Sequence, residues 1–493
     1  MTLQANHVAP VSNRCHRTVG MPPALSWTPR PLNGQAAPRA TGGLTACNGV
    51  FILGSIIADA RMVGVALDVI DSHQLLDRKE MSTIAQETKT AEHLRTADRY
   101  GAHNYSPLPV IIESGEGCWV TDVEGKKYLD MLAAYSALNF GYSHERLIAA
   151  ATKQLNKVTL TSRAFHNDQL GPFCRELCEL AGYDAVLPMN SGAEAVETAI
   201  KAARKWGYTN RNIRPDQADI ICAAGNFHGR TTTIVGFSSD AQYREGFGPF
   251  TPGFPLVPFG DADALRAAIN ENTAGFLVEP IQAESGIRVP PEGYLKEVRK
   301  ICSEHGILFI ADEIQTGLCR TGDRFAWCHE GDEARPDVMC LGKALGGGIL
   351  PISAVLASRS VMDVFKPGDH GSTFGGNPLA CAVARVAIDM IKNDGLEKQA
   401  TELGAHFMSK LKVIGAPAVQ EIRGRGLLIG VQIKPEYPKA RWFCDKFMEQ
   451  GILCKDAHED VIRFAPPLVI DQKDIDWALE RIGPVLLSAE PVG

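Results

Sequence analysis

The sequence predicts an α/β protein with a mostly parallel sheet in a large domain and a smaller α+β domain assembled from both chain ends. Three observations carry this expectation. First, four short apolar runs share one design: Ile220–Ala224 leads into Gly225-Asn226, Phe276–Val278 into Glu279-Pro280, Ile307–Ala311 into Asp312-Glu313, and Val338–Leu341 into Gly342-Lys343. Continuous apolar runs of this length, rather than alternating ones, suit strands buried on both faces of a parallel sheet. Second, helical stretches separate them, the clearest beginning at Ser191, Gly293 and Asn377. That is βαβ repetition, which implies right-handed crossovers. Third, the character changes on either side of this block.

Residues 95–145 contain a segment resembling a hairpin, Val110–Ile112 and Cys118–Thr121, before an Asp122-Val123-Glu124-Gly125 turn. Residues 380–487 read as long helices with two alternating strands, Glu421–Ile433 and Val461–Phe464. The expected division is an extension at 1–90, the two parts of the small domain at 91–150 and 379–493, and the large domain at 151–378. A chain of 493 residues accommodates this division and a large core.

Composition narrows the function. Hydrophobic residues make up 45% and charged residues 22%, which is too apolar for a disordered chain. The formal net charge of −7 supplies no basic field to draw the chain onto nucleic acid or anionic lipid. Its 13 cysteines include no CxxC pair, which suits a reducing compartment and argues against a disulfide framework, a zinc ribbon or any bound metal. Cys174 and Cys178, four apart on an expected helix, read as packing residues, with redox control as the alternative. Residues 1–58 lack Asp and Glu and carry Arg14, Arg17, Arg30 and Arg39. They read as a disordered tail, as upstream sequence with Met81 the true start, or as a transit peptide. The expected compartment is the cytoplasm, or the mitochondrial matrix if the extension is a cleaved transit peptide.

Ligands of open α/β sheets gather at the carboxyl ends of the strands, which places Asn226, Glu279, Asp312 and Lys343 where chemistry is expected. A lysine between a buried strand and Gly346-Gly347-Gly348 is partly desolvated. Desolvation lowers its pKa and leaves an amine able to form a Schiff base, unless the side chain simply reaches solvent. Asp312 ends a buried run, where a lone carboxylate is costly unless paired. A pyridinium nitrogen would be one partner, and capping of the next turn is the alternative. Ser191 and Glu194 form an S-x-x-E capping box, which by itself explains a helix start. The amides of Gly192 and Ala193 at that positive helix end also suit a phosphate. Ser372 and Thr373, in Gly371-Ser372-Thr373-Phe374-Gly375-Gly376-Asn377-Pro378, suit a second phosphate turn, although most glycine-rich turns bind nothing. An Asp, a Lys 31 residues later, and two anion-type turns together point to a pyridoxal-phosphate site.

Asp312-Glu313-Ile314-Gln315-Thr316-Gly317, Leu341-Gly342-Lys343-Ala344-Leu345-Gly346-Gly347-Gly348, Ser191-Gly192-Ala193-Glu194-Ala195 and the 371–378 turn resemble the motifs of class-III pyridoxal-phosphate aminotransferases. Within that family, Tyr100-Gly101-Ala102-His103-Asn104-Tyr105, Leu160–Phe165, Ala224–Thr231 and Ile462–Pro467 resemble the ornithine-using branch. The likeness runs in order over about residues 97–487.

The resemblance implies a fold-type-I transferase with a seven-stranded large-domain sheet and pyridoxal 5'-phosphate as cofactor. Lys343 would hold the cofactor, and Asp312 would pair with its ring nitrogen. Phe227 would stack on the ring and Gln315 would hydrogen-bond the phenolic oxygen. Ser191, Gly192, Ala193, Glu279 and Ser372 would belong to the cofactor-binding set. Thr373 would reach the phosphate of a neighbouring subunit, so the resemblance also implies a homodimer with shared active sites. Tyr105 and Arg230 would bind the amino-acid end of L-ornithine, and Tyr135 would line its channel. Glu284 would mask Arg463 until 2-oxoglutarate arrives. A bidentate Arg–carboxylate contact is strong and selective, and a masked Arg cannot recruit a substrate carboxylate. Two departures stand out. His228 replaces an expected tryptophan, and Gln282-Ala283-Glu284-Ser285-Gly286 differs from the commoner Gln-Gly-Glu-Ala-Gly. Both are expected near the substrate channel. The competing readings are an acetylornithine or 4-aminobutyrate aminotransferase, an aminomutase that needs no added oxo acid, and a scaffold without activity. The last should have lost Lys343 or Asp312.

Overall fold

The four apolar runs become the centre of one sheet, because a strand with no polar face needs cover on both sides. The computed structural model describes residues 88–492. The expected extension lies outside the described residues up to residue 87. Residues 88–90 already belong to a helix, Lys89–Tyr100, whose N-cap Thr88 accepts from the Ala91 amide. Chain order gives β1 Ile112–Glu116, β2 Trp119–Asp122, β3 Lys127–Asp130, β4 Ala185–Met189, β5 Asp219–Ala223, β6 Leu256–Val257, β7 Thr273–Val278 and β8 Leu308–Asp312. There follow β9 Val338–Leu341, β10 Ser353–Ala357, β11 Val419–Arg425, β12 Leu428–Ile433, β13 Ile452–Leu453, β14 Lys455–Ala457 and β15 Val461–Phe464.

The large sheet has seven strands in the order β4-β10-β9-β8-β7-β5-β6. Pairing is parallel from β6 through β5, β7 and β8 to β9, and only β10 runs against its neighbours. Strands β7, β8, β9 and β10 are buried at every position. The expected helices start where their caps were read. Gly192–Asn210 follows N-cap Ser191 with a complete capping box, Tyr294–His305 follows Gly293, and Pro378–Asn393 follows Asn377. Three strands of the sheet escaped the sequence reading. β4 contains Pro188, β6 has two residues, and β10 is preceded by Pro351 rather than by a turn signal.

The flanks correct two expectations. Glu421–Ile433 is a hairpin of β11 and β12, not one alternating strand, because the chain reverses at Gly426-Leu427, where Gly426 takes a left-handed φ of 52°. β15 does not alternate either. All four residues are buried, with Phe464 packed against Phe407 and Phe447. Near the N-terminus the Asp122–Gly125 turn joins β2 to β3. The hairpin expected there is β1 with β2, starting at Ile112. Asp122 shapes the turn by accepting the amides of Glu124 and Lys126. β13 then pairs parallel to β3, Ile452 beside Leu129 and Leu453 beside Asp130, so distant segments share one sheet.

Arg320 ties this arrangement to the large sheet. It is fully buried and donates to the carbonyls of Leu427 and Pro466 and to Asn139 Oδ1. Burial pulls its pKa down to about 9, against the opposing pull of Asp130. An apolar side chain there would leave buried acceptors without donors. We expect Arg320→Met to lower the unfolding free energy by about 3 kcal/mol or more, read by denaturant titration.

Candidate active site

Lys343 follows β9 directly and begins a short 3-10 turn, with a left-handed φ of 44°. Burial lowers its amine to about 8, which Glu284, Asp312 and Glu279 oppose and Arg463 assists. Glu279 beyond β7, Glu284 in the loop that follows, Asp312 at the end of β8 and Arg463 within β15 therefore act on one amine. At that pKa a substantial neutral fraction exists near neutral pH, which a nucleophile or base requires.

Asp312 closes β8 and is 4% exposed. Its Oδ1 accepts the Ile314 amide at 3.0 Å and its Oδ2 faces His228 Nδ1 at 2.7 Å. A carboxylate there can only accept, so His228 carries its proton on Nδ1. His228 was expected near the substrate channel. The structure instead places it behind Asp312 at 3% exposure, with Nε2 buried and unpartnered among the described residues. The signal available in the sequence was a histidine beside Phe227 at the end of β5, but nothing local said that it faces β8. Glu313, the next residue, pins the following turn by accepting from Thr316 Oγ1 and the Trp327 amide, and burial pushes its carboxyl up to about 7.

Glu279 ends β7. Burial, and then the nearby Asp312, raises its pKa well above the ordinary carboxylate range, and its Oε1 accepts the Phe227 amide at 2.8 Å. Glu284 shows the opposite behaviour. It is partly buried, but the Arg463 and Lys343 cations outweigh desolvation and bring it down to about 2. Arg463 Nη1 donates to Glu284 Oε1 at 2.5 Å, and Gln315 Nε2 donates to the same oxygen at 3.2 Å. The masking contact expected between Glu284 and Arg463 is thus present in the geometry.

Arg463 also stands over the ring of Tyr135, 4.7 Å from its centroid. Tyr135 lies in an unusual turn. Ala133, Ala134, Tyr135 and Ser136 have φ values of 49°, 47°, 59° and 68°. Left-handed backbone costs about 1–2 kcal/mol per non-glycine residue, so the fold holds considerable strain at this wall. Tyr105, Tyr135, Arg230, Tyr243 and Glu284 line one cavity of about 950 Å³. The guanidinium of Arg230 lies 4.2 Å from the Tyr243 centroid and 5.7 Å from that of Phe227. Tyr243 is a second residue that sequence reading passed over. It sits in a short helix, Ala241–Arg244, carrying no recognisable pattern.

At the other end of the site, the capping box uses the amides of Asn190, Ser191 and Glu194. Gly192 and Ala193 stand at the first positions of the helix, where amides have no intrahelical partner. Ser372 Oγ accepts from Asn190 Nδ2 at 2.8 Å and from the Gly375 amide at 3.1 Å, so this hydroxyl braces its own loop against β4. Thr373 is exposed beside Phe374. Of the two departures, Ala283 is buried in a small apolar cluster, while Ser285 lines a second cavity with Phe227 and Tyr243 and donates to the Gly225 carbonyl.

These residues fit a flat, phosphate-bearing aldehyde. A buried amine of lowered pKa, a fixed carboxylate, orphan amides at a helix start and the unpartnered buried Oε1 of Gln315 are the groups that pyridoxal phosphate requires. Residues 100–486 match the profile of aminotransferase class-III. The chain is 56% identical over 395 residues to a Staphylococcus aureus protein called ornithine aminotransferase 2, covering 80% of this chain and 98% of that one. It is also similar to the crystal structure of ornithine aminotransferase from Toxoplasma gondii, with a TM-score of 0.80 and 45% identity, covering 82% of this chain and 96% of that chain. The acetylornithine aminotransferase of Elizabethkingia anophelis gives a TM-score of 0.74 at 44% identity, covering 81% and 100%.

Two outcomes follow from the charges. In cofactor-free protein, the amine that reacts with a small aldehyde should titrate near pH 8, below the ordinary lysine value, and disappear in Lys343→Ala. A midpoint near 10 would contradict the burial argument. Glu284 is depressed in the folded state, so its contribution is full above pH 4.5 and is lost as pH falls toward 2. Wild type should therefore lose about 3 kcal/mol more stability across that window than Glu284→Gln does, measured by denaturant titration at each pH.

Proposed function

The chain belongs to the class-III aminotransferase family, and from that premise we propose that it moves the δ-amino group of L-ornithine to 2-oxoglutarate, giving L-glutamate 5-semialdehyde and L-glutamate. The observation that carries the choice of amine is the Glu284–Arg463 ion pair beside Lys343. With Arg463 masked, the guanidinium left to the cavity among the described residues is that of Arg230, so an amino acid enters with its carboxylate toward Arg230 and its far amine toward Lys343. When the oxo acid arrives, Glu284 withdraws and Arg463 grips the acid's carboxylate.

Bound pyridoxal phosphate would supply an aldehyde that takes up amino groups and an electron-poor ring that accepts electrons from the substrate carbon. The chain's own residues do the rest. Lys343 Nζ would hold the aldehyde at rest and, once the incoming δ-amine had displaced it, would be the free base able to lift a proton from the δ-carbon. Asp312, oriented by His228 and the Ile314 amide, offers its carboxylate to a protonated ring nitrogen. Phe227 would cover the ring face, Gln315 would meet the phenolic oxygen, and Ser191, Gly192 and Ala193 would hold the phosphate at the helix N-terminus. Ser372 positions the loop that carries Thr373, and Thr373 reaches the phosphate of a second subunit, which makes the working form a homodimer. Glu279, whose pKa burial raises, accepts the Phe227 amide and so fixes that residue. Tyr105 and Tyr135 recognise the α-amino end, which 4-aminobutyrate lacks and N-acetylornithine hides.

Cysteines 118 to 454 are free thiols, which fits a reducing compartment such as the cytoplasm. Burial raises the pKa of both Cys174 and Cys178, which favours packing over redox chemistry. Among the described residues no helix is long and apolar enough to cross a membrane.

Purified protein should form the semialdehyde from ornithine only when 2-oxoglutarate is present. Turnover without the oxo acid, or a higher kcat/KM for N-acetylornithine or 4-aminobutyrate, would overturn the reading. Glu284→Ala should lower kcat/KM for ornithine about tenfold or more while leaving 2-oxoglutarate binding intact, since only the first half-reaction needs Arg463 masked.

A further inference from the structure

Asp130, the last residue of β3, is a buried carboxylate that the reaction above does not use. It is 4% exposed, and its Oδ1 accepts the amides of Leu132 at 2.8 Å and Ala133 at 3.0 Å. Its Oδ2 accepts the Tyr142 hydroxyl at 2.9 Å. These bonds sit at the start of the left-handed turn Ala133–Ser136, in which none of the four residues is glycine. Such a run persists only where the surroundings over-determine it. At its far end the Ala133 carbonyl accepts the amides of Ala137 at 2.9 Å and Leu138 at 3.0 Å. At its near end, among the described residues, Asp130 is the one side chain that accepts the amides leading into the turn.

The turn determines which side chain faces the cavity. Its sense brings Tyr135 under the Arg463 guanidinium, and Asp130, Leu132, Ala134 and Tyr135 all line the cavity with Arg230 and Glu284. Reversion to right-handed backbone would relieve the strain and rotate Tyr135 away from Arg463. We propose that Asp130 is a positioning residue for substrate selection: its carboxylate locks the left-handed turn and so fixes Tyr135 as the wall against which the amino-acid end of the substrate is judged. The inference rests on the aminotransferase reading, but not on which amine is preferred.

The test compares kcat and KM of the holoenzyme for ornithine, N-acetylornithine and 4-aminobutyrate. The wild-type order examines the activity reading by itself. Whichever amine leads, Asp130→Ala should shrink its lead about tenfold or more, through a raised KM, while kcat changes less than about threefold. Asp130→Asn keeps an acceptor for both amides and a donor toward Tyr142, so it should restore most of the lead. Tyr142→Phe removes one bond only and should give a smaller loss in the same direction, which keeps the test open if Asp130→Ala does not fold. An unchanged amine preference in Asp130→Ala, or in Tyr142→Phe where Asp130→Ala fails to fold, would overturn the proposal. So would an Asp130→Asn as impaired as the alanine variant, because that result would place the charge in direct contact with the substrate.

Discussion

The site depends on one constraint: the amine of Lys343 is removed from water and surrounded by charges that do not let it relax. Desolvation pushes its pKa down, while Glu284, Asp312 and Glu279 hold it up, and the balance lies near 8. Three carboxyls serve one amine in three different states. Glu284 is charged because Arg463 pairs with it, and Glu279 is driven toward neutrality because burial and Asp312 oppose its charge. Asp312 is held by His228 and a backbone amide. Environments that push like groups apart let one pocket hold carboxyls with different proton affinities around a single base.

The same economy governs the substrate side. Two guanidiniums serve the cavity, and each is held against an aromatic ring, Arg463 by Tyr135 and Arg230 by Tyr243. Arg463 is also paired, so its carboxylate-binding power is withheld rather than absent. A withheld arginine can discriminate between two substrates that arrive in turn, which a fixed pocket cannot do. The strained turn at Ala133–Ser136 and the buried Arg320 belong to this design. The first aims Tyr135, and the second joins Asn139 and Pro466, sequence neighbours of Tyr135 and Arg463, to Leu427 of the β11–β12 turn.

Much of the large sheet was legible because its strands are continuous apolar runs that end in chemistry-bearing residues. β9 spans Val338–Leu341 as read, and β8 ends on Asp312. Helix starts were legible because Ser191 and Asn377 cap with their own side chains, a strictly local interaction. Strands β4, β6 and β10 were not legible, because a proline, a two-residue length and a weak boundary hide them while sheet neighbours stabilise them. The β11–β12 hairpin reads as one strand because only Gly426 and Leu427 separate its two halves, and the left-handed Gly426 marks the reversal.

By itself, the sequence determined the α/β class, the strand-end positions of Glu279, Asp312 and Lys343, and the helix start that offers the Gly192 and Ala193 amides. All of these depend on bonds and burial within a few residues. Only the tertiary structure decided that His228 backs Asp312 and that Glu284 meets Arg463 across 179 residues. The physical reason is that partners between strands are selected by sheet order and register. A histidine or a carboxylate in sequence carries no mark of which neighbour folding will bring within hydrogen-bond distance.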